Sequence, residues 1–181
     1  MTISFSDLET PLGEVRLARC GGRTVGLAFT DGWPRVEEAL VRRYGTFRPV
    51  SEACPEVAAA LRRYFAGAFD ALATLAVDPG GTAFQRAVWA ALQRIPAGRT
   101  TFYGAIARAL GAPGAARAVG AACGANPISL AIPCHRAIGN DGQLTGYAGG
   151  IARKRWLLAH EGALPPAEPA SARSAAAFAQ R

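Results

Sequence analysis

Histidine and lysine are scarce in this 181-residue chain: two histidines, and one lysine (Lys154) beside nineteen arginines. The four cysteines, Cys20, Cys54, Cys123 and Cys134, are widely spaced. No CxxC pair occurs, and the two histidines complete no zinc spacing, so no metal site is expected. In a cytosolic protein such cysteines are reduced thiols rather than a disulfide framework. No apolar run is long enough to span a bilayer, and the N-terminus lacks a signal-peptide pattern. These absences predict a soluble, cytoplasmic protein that does not associate with membranes. No internal repeat is present.

Half of the residues are hydrophobic, enough for a substantial core in one domain or two small ones. Charge is unevenly distributed. Residues 1–80 carry 9 basic and 10 acidic residues, and residues 81–181 carry 11 and 3. The positive charge therefore belongs to the second half. That points to a polyanion, nucleic acid first, against the plainer reading of a basic surface that serves solubility. The arginine excess and the abundant alanine speak of a GC-rich genome more than of function.

Alternation at Ile3 and Phe5, then Val15 and Leu17, then Val25, Leu27 and Phe29 predicts β-structure over the first thirty residues. Gly21-Gly22 is a hairpin signal. Pro34 opens a helix with Val36, Leu40 and Tyr44 on one face. Pro55 opens another, with Val57, Leu61, Tyr64 and Phe65 inward. Leu75 to Val77 is a candidate strand. Asp78-Pro79-Gly80-Gly81 breaks the pattern and sets a boundary between residues 1–80 and 81–164. Beyond it, Thr82 and Gln85 have capping-box spacing, and Phe84, Val88, Ala91, Leu92 and Ile95 share a helical face. A short helix from about Thr101, with Ile106 and Leu110 buried, ends at Gly111. A helix of small residues follows, from about Gly114 to Cys123. The pair reads as helix-turn-helix. Leu130-Ala131-Ile132 predicts a strand into Cys134, and a last helix runs from Ile151 to His160. Residues 165–181 are alanine- and proline-rich and are expected to be disordered.

Two features carry chemistry. The second helix, Ala115 to Ala122, has almost nothing with which to read base edges except Arg117. An ordinary helix is about 10–12 Å across and the minor groove only about 6 Å wide. A helix stripped to alanine and glycine could enter a widened minor groove, with Arg117 as a wedge. The alternative is close helix–helix packing. The other feature is Ile132-Pro133-Cys134-His135-Arg136. A base close to Cys134 could favour its thiolate. Side chains of adjacent strand residues point oppositely, so contact with His135 requires a bridging water or a backbone twist. A third group must orient the imidazole, and Glu161 and Asp141 are candidates. Inert core cysteine is the alternative for Cys134, core packing for Tyr103, and an ordinary turn for Asn126.

Arg117-Ala118-Val119-Gly120, Asn126-Pro127, Ile132 to Arg136, Gly146-Tyr147-x-Gly149-Gly150 and Leu157 to Gly162 resemble, in order and spacing, the O6-alkylguanine-DNA alkyltransferases. The resemblance covers residues 82–162. Residues 1–80 fit more loosely, chiefly through Thr10-Pro11-Leu12-Gly13. It implies an α+β protein: an N-terminal ribonuclease-H-like domain and a mostly helical winged helix-turn-helix domain. It implies direct, stoichiometric and irreversible transfer of an alkyl group from O6-alkylguanine, and from O4-alkylthymine, in double-stranded DNA to Cys134. No cofactor is implied, and the protein would act as a monomer on the minor groove, with cooperativity possible on longer DNA. His135, through a water, and Glu161 would complete a relay. Tyr103 would help rotate the nucleotide and donate to guanine, and Asn126 would hold the turn before the active-site segment. Arg117, Tyr147, Ala148 and Arg136 would contact substrate, Arg117 by filling the vacated stack and Ala148 through its amide. Ser129, Ala137 and Ala148 depart from residues common in the family and leave adduct size open. Rival readings are a lesion-binding protein without transfer, a thiol hydrolase and a winged-helix regulator.

Overall fold

A computed structural model describes residues 1–139 and 142–164. The predicted tail, 165–181, and Asp141 lie outside the described residues. Strands β1 (Thr2–Leu8), β2 (Val15–Cys20) and β3 (Arg23–Phe29) form the antiparallel meander expected from their alternation, and β4 (Arg48–Ser51) joins β1 in parallel. The sheet order is β3-β2-β1-β4. Gly21 and Gly22 both have positive φ, 55° and 76°, which is what a two-residue hairpin loop between twisted strands demands.

Helix α1 (Trp33–Tyr44) buries Trp33, Val36 and Leu40 against Ile3, Ala18, Val25 and Ala28 on one face of the sheet. It comes so close that a Cβ on Gly26 would lie 2.9 Å from Val36. The other face carries the main core. There Val15, Leu17, Leu27 and Phe29 meet α2 (Pro55–Phe65), α3 (Ala83–Gln93), and residues 128–137. That core is continuous across the Gly80-Gly81 break.

The edge of β3 is covered rather than left open, which protects it from pairing with another chain. Leu27 exchanges backbone hydrogen bonds with Pro127 and Ser129 at 2.9 and 2.7 Å, and Thr24 does so with Ala76 and Asp78 at 2.8 Å each. The candidate strand at Leu75 to Val77 is thus a single bridge, Thr24 to Val77.

In the second half the capping box forms as expected: Thr82 caps α3 and Gln85 reciprocates. Helices α4 (Tyr103–Ala109) and α5 (Ala116–Gly124) pack together, and Gly111, at φ 73°, ends the first. Thr101 and Phe102 are not helical; they form β5, paired in parallel with β6 (Ala137–Ile138). Helix α6 (Ile151–His160) buries Lys154, Leu157 and Leu158. No helix among the described residues is long and apolar enough to cross a membrane.

The strand expected ahead of Cys134 is absent. After the Leu27–Ile128 bridge the chain turns at Leu130, whose φ is +69°, and Cys134–Arg136 form a 3-10 turn. The apolar run reads as a strand because it is buried on all sides, not because it is extended; such runs carry no periodicity to separate the two cases.

Candidate active site

Asn126 organises the turn that carries Cys134. Its Oδ1 accepts from the Ile128 amide at 3.0 Å. Its Nδ2 donates to the Ile132 carbonyl at 2.9 Å and to Cys134 Sγ at 3.3 Å. One side chain thus braces both ends of the segment and points a donor at the sulfur. Burial pushes the Cys134 thiol up; the Asn126 donor and then the positive charges of Lys154 and Arg35 pull it back.

His135 is fully buried, its Nε2 3.0 Å from Glu161 Oε1. Burial lowers its pKa, against the opposing pull of Glu161, so the imidazole favours the neutral form. Glu161 can only accept, which puts the proton on Nε2 and leaves Nδ1 as the basic nitrogen. Nδ1 has no hydrogen-bond partner among the described residues.

Glu161 is the hub. Its Oε1 accepts from Tyr64 Oη at 2.7 Å as well as from His135, and Arg136 grips the carboxylate at 2.8 and 2.9 Å. Burial alone would raise its pKa; the His135 and Arg136 hydrogen bonds outweigh it and hold the group at about 2. The structure therefore selects Glu161 as the group that orients the imidazole.

Arg136 departs from its expected place among the substrate contacts. It is buried, and its donors go to Glu161 and, at 2.6 Å, to the Ile95 carbonyl. It stands behind the carboxylate and neutralises it.

Tyr147 is buried edge-on to His135, ring centroids 6.3 Å apart, with a hydroxyl that has no partner among the described residues. Tyr103 Oη donates to the Thr145 carbonyl at 2.9 Å. Burial, then the Cys123 and Cys134 thiols, push that phenol up to about 12. Ala148 is exposed beside Tyr147 on the rim of a cleft of about 520 Å³. Asp31, Gly32, Pro34 and Arg35 form the opposite wall, and Gly124 and Gly146 complete the lining. Arg117 is exposed on the first turn of α5, whose inner face carries Val119, Ala122 and Cys123. Among the described residues no group of three His, Cys, Asp or Glu could hold a metal.

Three residues were not legible beforehand. Lys154 Nζ, fully buried, donates to the carbonyls of Ala137 and Thr145 at 2.6 and 2.8 Å and to Tyr103 Oη at 3.3 Å. Its spacing with Leu157 and Leu158 on the inward face of α6 was the available signal. Arg35, from the N-terminal half, donates to the Asn126 carbonyl at 3.2 Å and lines the cleft. Tyr64 reads as an ordinary core aromatic on α2.

The profile of a family described as "6-O-methylguanine DNA methyltransferase, DNA binding domain" matches residues 83–163. A methylated-DNA–protein-cysteine methyltransferase of Mycolicibacterium paratuberculosis is 55% identical over 91% of this chain and 96% of its own length. One from Shigella flexneri is 60% identical over 104 residues, 58% of this chain and 61% of that relative. Among solved structures, Mycobacterium tuberculosis OGT in complex with DNA superposes with a TM-score of 0.73 at 38% identity, covering 92% of this chain and 96% of that one. The O6-methylguanine-DNA methyltransferase of Pyrococcus kodakaraensis superposes with a TM-score of 0.70 at 27% identity, over 88% and 99%.

Proposed function

The chain belongs to the methylated-DNA–protein-cysteine methyltransferase family, and on that premise we propose that it repairs DNA by taking an alkyl group from O6 of guanine onto Cys134. The observation that carries this reading is the pair of contacts Asn126–Cys134 and His135–Glu161–Tyr64/Arg136. Cys134 itself is buried at 2% exposure, and the cleft is reached through Tyr147, edge-on to His135, and Arg35, bonded to the Asn126 carbonyl. An inert core cysteine has no use for a donor on its sulfur and an oriented, neutral imidazole next in sequence.

On this reading, His135 Nδ1 takes the thiol proton through a water, and Glu161 stabilises the resulting imidazolium. Asn126, Lys154 and Arg35 stabilise the thiolate. The sulfur attacks the alkyl carbon; the S–C bond forms as the C–O6 bond breaks, and the electron pair leaves on guanine. Tyr103 Oη, turning its hydrogen bond from the Thr145 carbonyl, donates to the departing base. The guanine anion takes up a proton from water, and the His135 imidazolium returns the thiol proton to water. Thioethers are not hydrolysed under mild conditions, so the reaction is single-use and draws on no cofactor. O4-alkylthymine offers the same bond and is a second substrate.

The alkylated base lies inside the duplex and must be extruded, which costs a few kcal/mol. Arg117, exposed on the thin helix α5, fills the vacated stack from the minor groove. Residues 81–164 serve as the DNA-binding and active-site domain, and residues 1–80 supply the far wall of the cleft. The protein acts as a cytoplasmic monomer, with cooperative binding on longer DNA. Cys134→Ser tests the reading: the variant should bind duplex carrying O6-methylguanine and transfer nothing. Continued repair by that variant contradicts it, and a repeated release of product identifies a hydrolase instead.

A further inference from the structure

The two walls of the cleft come from distant parts of the chain. Asp31, Gly32, Pro34 and Arg35 stand on one side, and the Gly146-Tyr147-Ala148 loop on the other. One side chain hydrogen-bonds to both. Arg153, on the first turn of α6, donates through Nη1 to Asp31 Oδ2 at 2.7 Å and to the Gly149 carbonyl at 3.1 Å. Its Nε donates to the Leu12 carbonyl at 3.1 Å, and its guanidinium lies 4.1 Å from the centre of the Phe29 ring. Gly149 is pressed against the same ring: a Cβ there would lie 3.1 Å from Phe29 and 2.6 Å from the Tyr147 ring.

We infer that Arg153 is a positioning residue that latches the Tyr147–Gly149 loop to the N-terminal wall and so sets the size of adduct the cleft accepts. The inference rests on the alkyl-transfer reading above. Arginine suits the task because its planar fork holds several acceptors in fixed directions while its face stacks on an aromatic ring; a lysine ammonium is a point charge on a flexible stem. The Arg153 side chain is 24% exposed but that of Asp31 is 62%, so water screens the ion pair, and the latch rests as much on the Leu12 and Gly149 carbonyls and the Phe29 ring. Released, the loop keeps its chain connectivity but loses its tether to Asp31 and Leu12. Tyr147 and Ala148 then move relative to the opposite wall. A small methyl adduct loses its alignment with the sulfur, while a benzyl adduct gains room.

The test is single-turnover transfer from duplexes carrying O6-methylguanine or O6-benzylguanine, in wild type and Arg153→Met. Rates are normalised to the active fraction from the endpoint of each reaction. At saturating DNA the methyl rate should fall about tenfold, equivalent to about 1.4 kcal/mol, because small misplacements of reacting groups are costly. The DNA concentration giving half the maximal rate should change by less than about twofold. The ratio of benzyl to methyl rates should rise about threefold or more, a shift of under 1 kcal/mol that normalised rates resolve. Arg153→Lys, which keeps the charge and stem, should shift the ratio the same way by about twofold, and it carries the readout if the Met variant does not fold. An unchanged ratio with equal losses on both substrates overturns the latch, and so does full rescue by lysine. A wild type that transfers nothing overturns the alkyl-transfer reading itself, and with it this inference.

Discussion

Tyr64 and Glu161, 97 residues apart in sequence, meet at 2.7 Å, phenol to carboxylate. The hydrogen bond runs from α2 of the N-terminal half to the residue that orients His135. The reactive end of the second half is thus braced by the first. Burial, and then Glu161, hold the Tyr64 phenol well above its ordinary range, so it remains a donor at any physiological pH.

Tyr64→Phe should therefore weaken the site without dismantling it, since Arg136 and His135 still hold Glu161. The hydrogen bond lost is to a charged acceptor, worth about 1.5–3 kcal/mol. Denaturant unfolding should show a loss of that order, and alkyl transfer should slow by less than about tenfold, or about 1.4 kcal/mol. Unchanged stability would mean that the phenol is not needed to hold the carboxylate.

The pH dependence of stability has a definite sign. Glu161 is depressed from its ordinary 4.5 to about 2, so its contribution is fully present above 4.5 and is lost as pH falls toward about 2. His135 is also depressed, from 6.5, so below 6.5 the unfolded chain takes up a proton that the folded chain resists. Stability should decline with acid from about pH 6.5 downward. Glu161→Gln should flatten the lower part of that decline. It should also cost about 3–5 kcal/mol at neutral pH by leaving Arg136 buried without its counter-charge. A profile whose lower limb is the same in both proteins would contradict the assignment.

Thiolate chemistry gives activity a slope of the same sign, but over a higher range of pH. Burial raises the Cys134 thiol above its ordinary 9.0, so less of it is ionised at neutral pH, and the transfer rate should climb as pH rises toward that value and continue to climb beyond it. Lys154→Met removes one of the charges that opposes that rise. The climb should move to higher pH, read out as single-turnover rate or as iodoacetamide labelling of Cys134. A profile that does not move would show that Lys154 acts only as a structural pin between Ala137 and Thr145.

Arg117→Ala should spare binding to undamaged duplex, within about threefold (under 1 kcal/mol), while repair falls about tenfold or more. Gel-shift affinity beside single-turnover repair separates the two. Equal losses in both would reduce Arg117 to a phosphate contact, one of several that make affinity fall with salt.

Much of this architecture was legible where local physics decides it. Gly21-Gly22, the Thr82/Gln85 capping box and the proline openings of α1 and α2 all act within a few residues of themselves. β4 was not legible, because Arg48-Pro49-Val50-Ser51 is exposed throughout and is a strand only through its pairing with β1. The approach to Cys134 misled for the converse reason: Leu130 to Ile132 is apolar because it is enclosed, and its turn is dictated by Asn126 from outside the run. At the site, the Pro-Cys-His motif drew out Cys134 and His135, whereas Asn126 and the choice of Glu161 over Asp141 came from the family resemblance. Arg136 was misplaced and Tyr64, Arg35 and Lys154 passed unnoticed, since side chains paired across 17 to 97 residues leave no periodic trace.

The central claim is that Cys134 is a one-time acceptor. Duplex DNA carrying a single O6-[methyl-labelled]guanine should be incubated with a known amount of the protein. Label on protein should then be counted, and peptides sequenced by mass spectrometry. The account predicts that label plateaus at one equivalent per active protein molecule, on Cys134 alone, with unmodified guanine left in the DNA. Label continuing past one equivalent into solution, or residing on Cys20, Cys54 or Cys123, would contradict it.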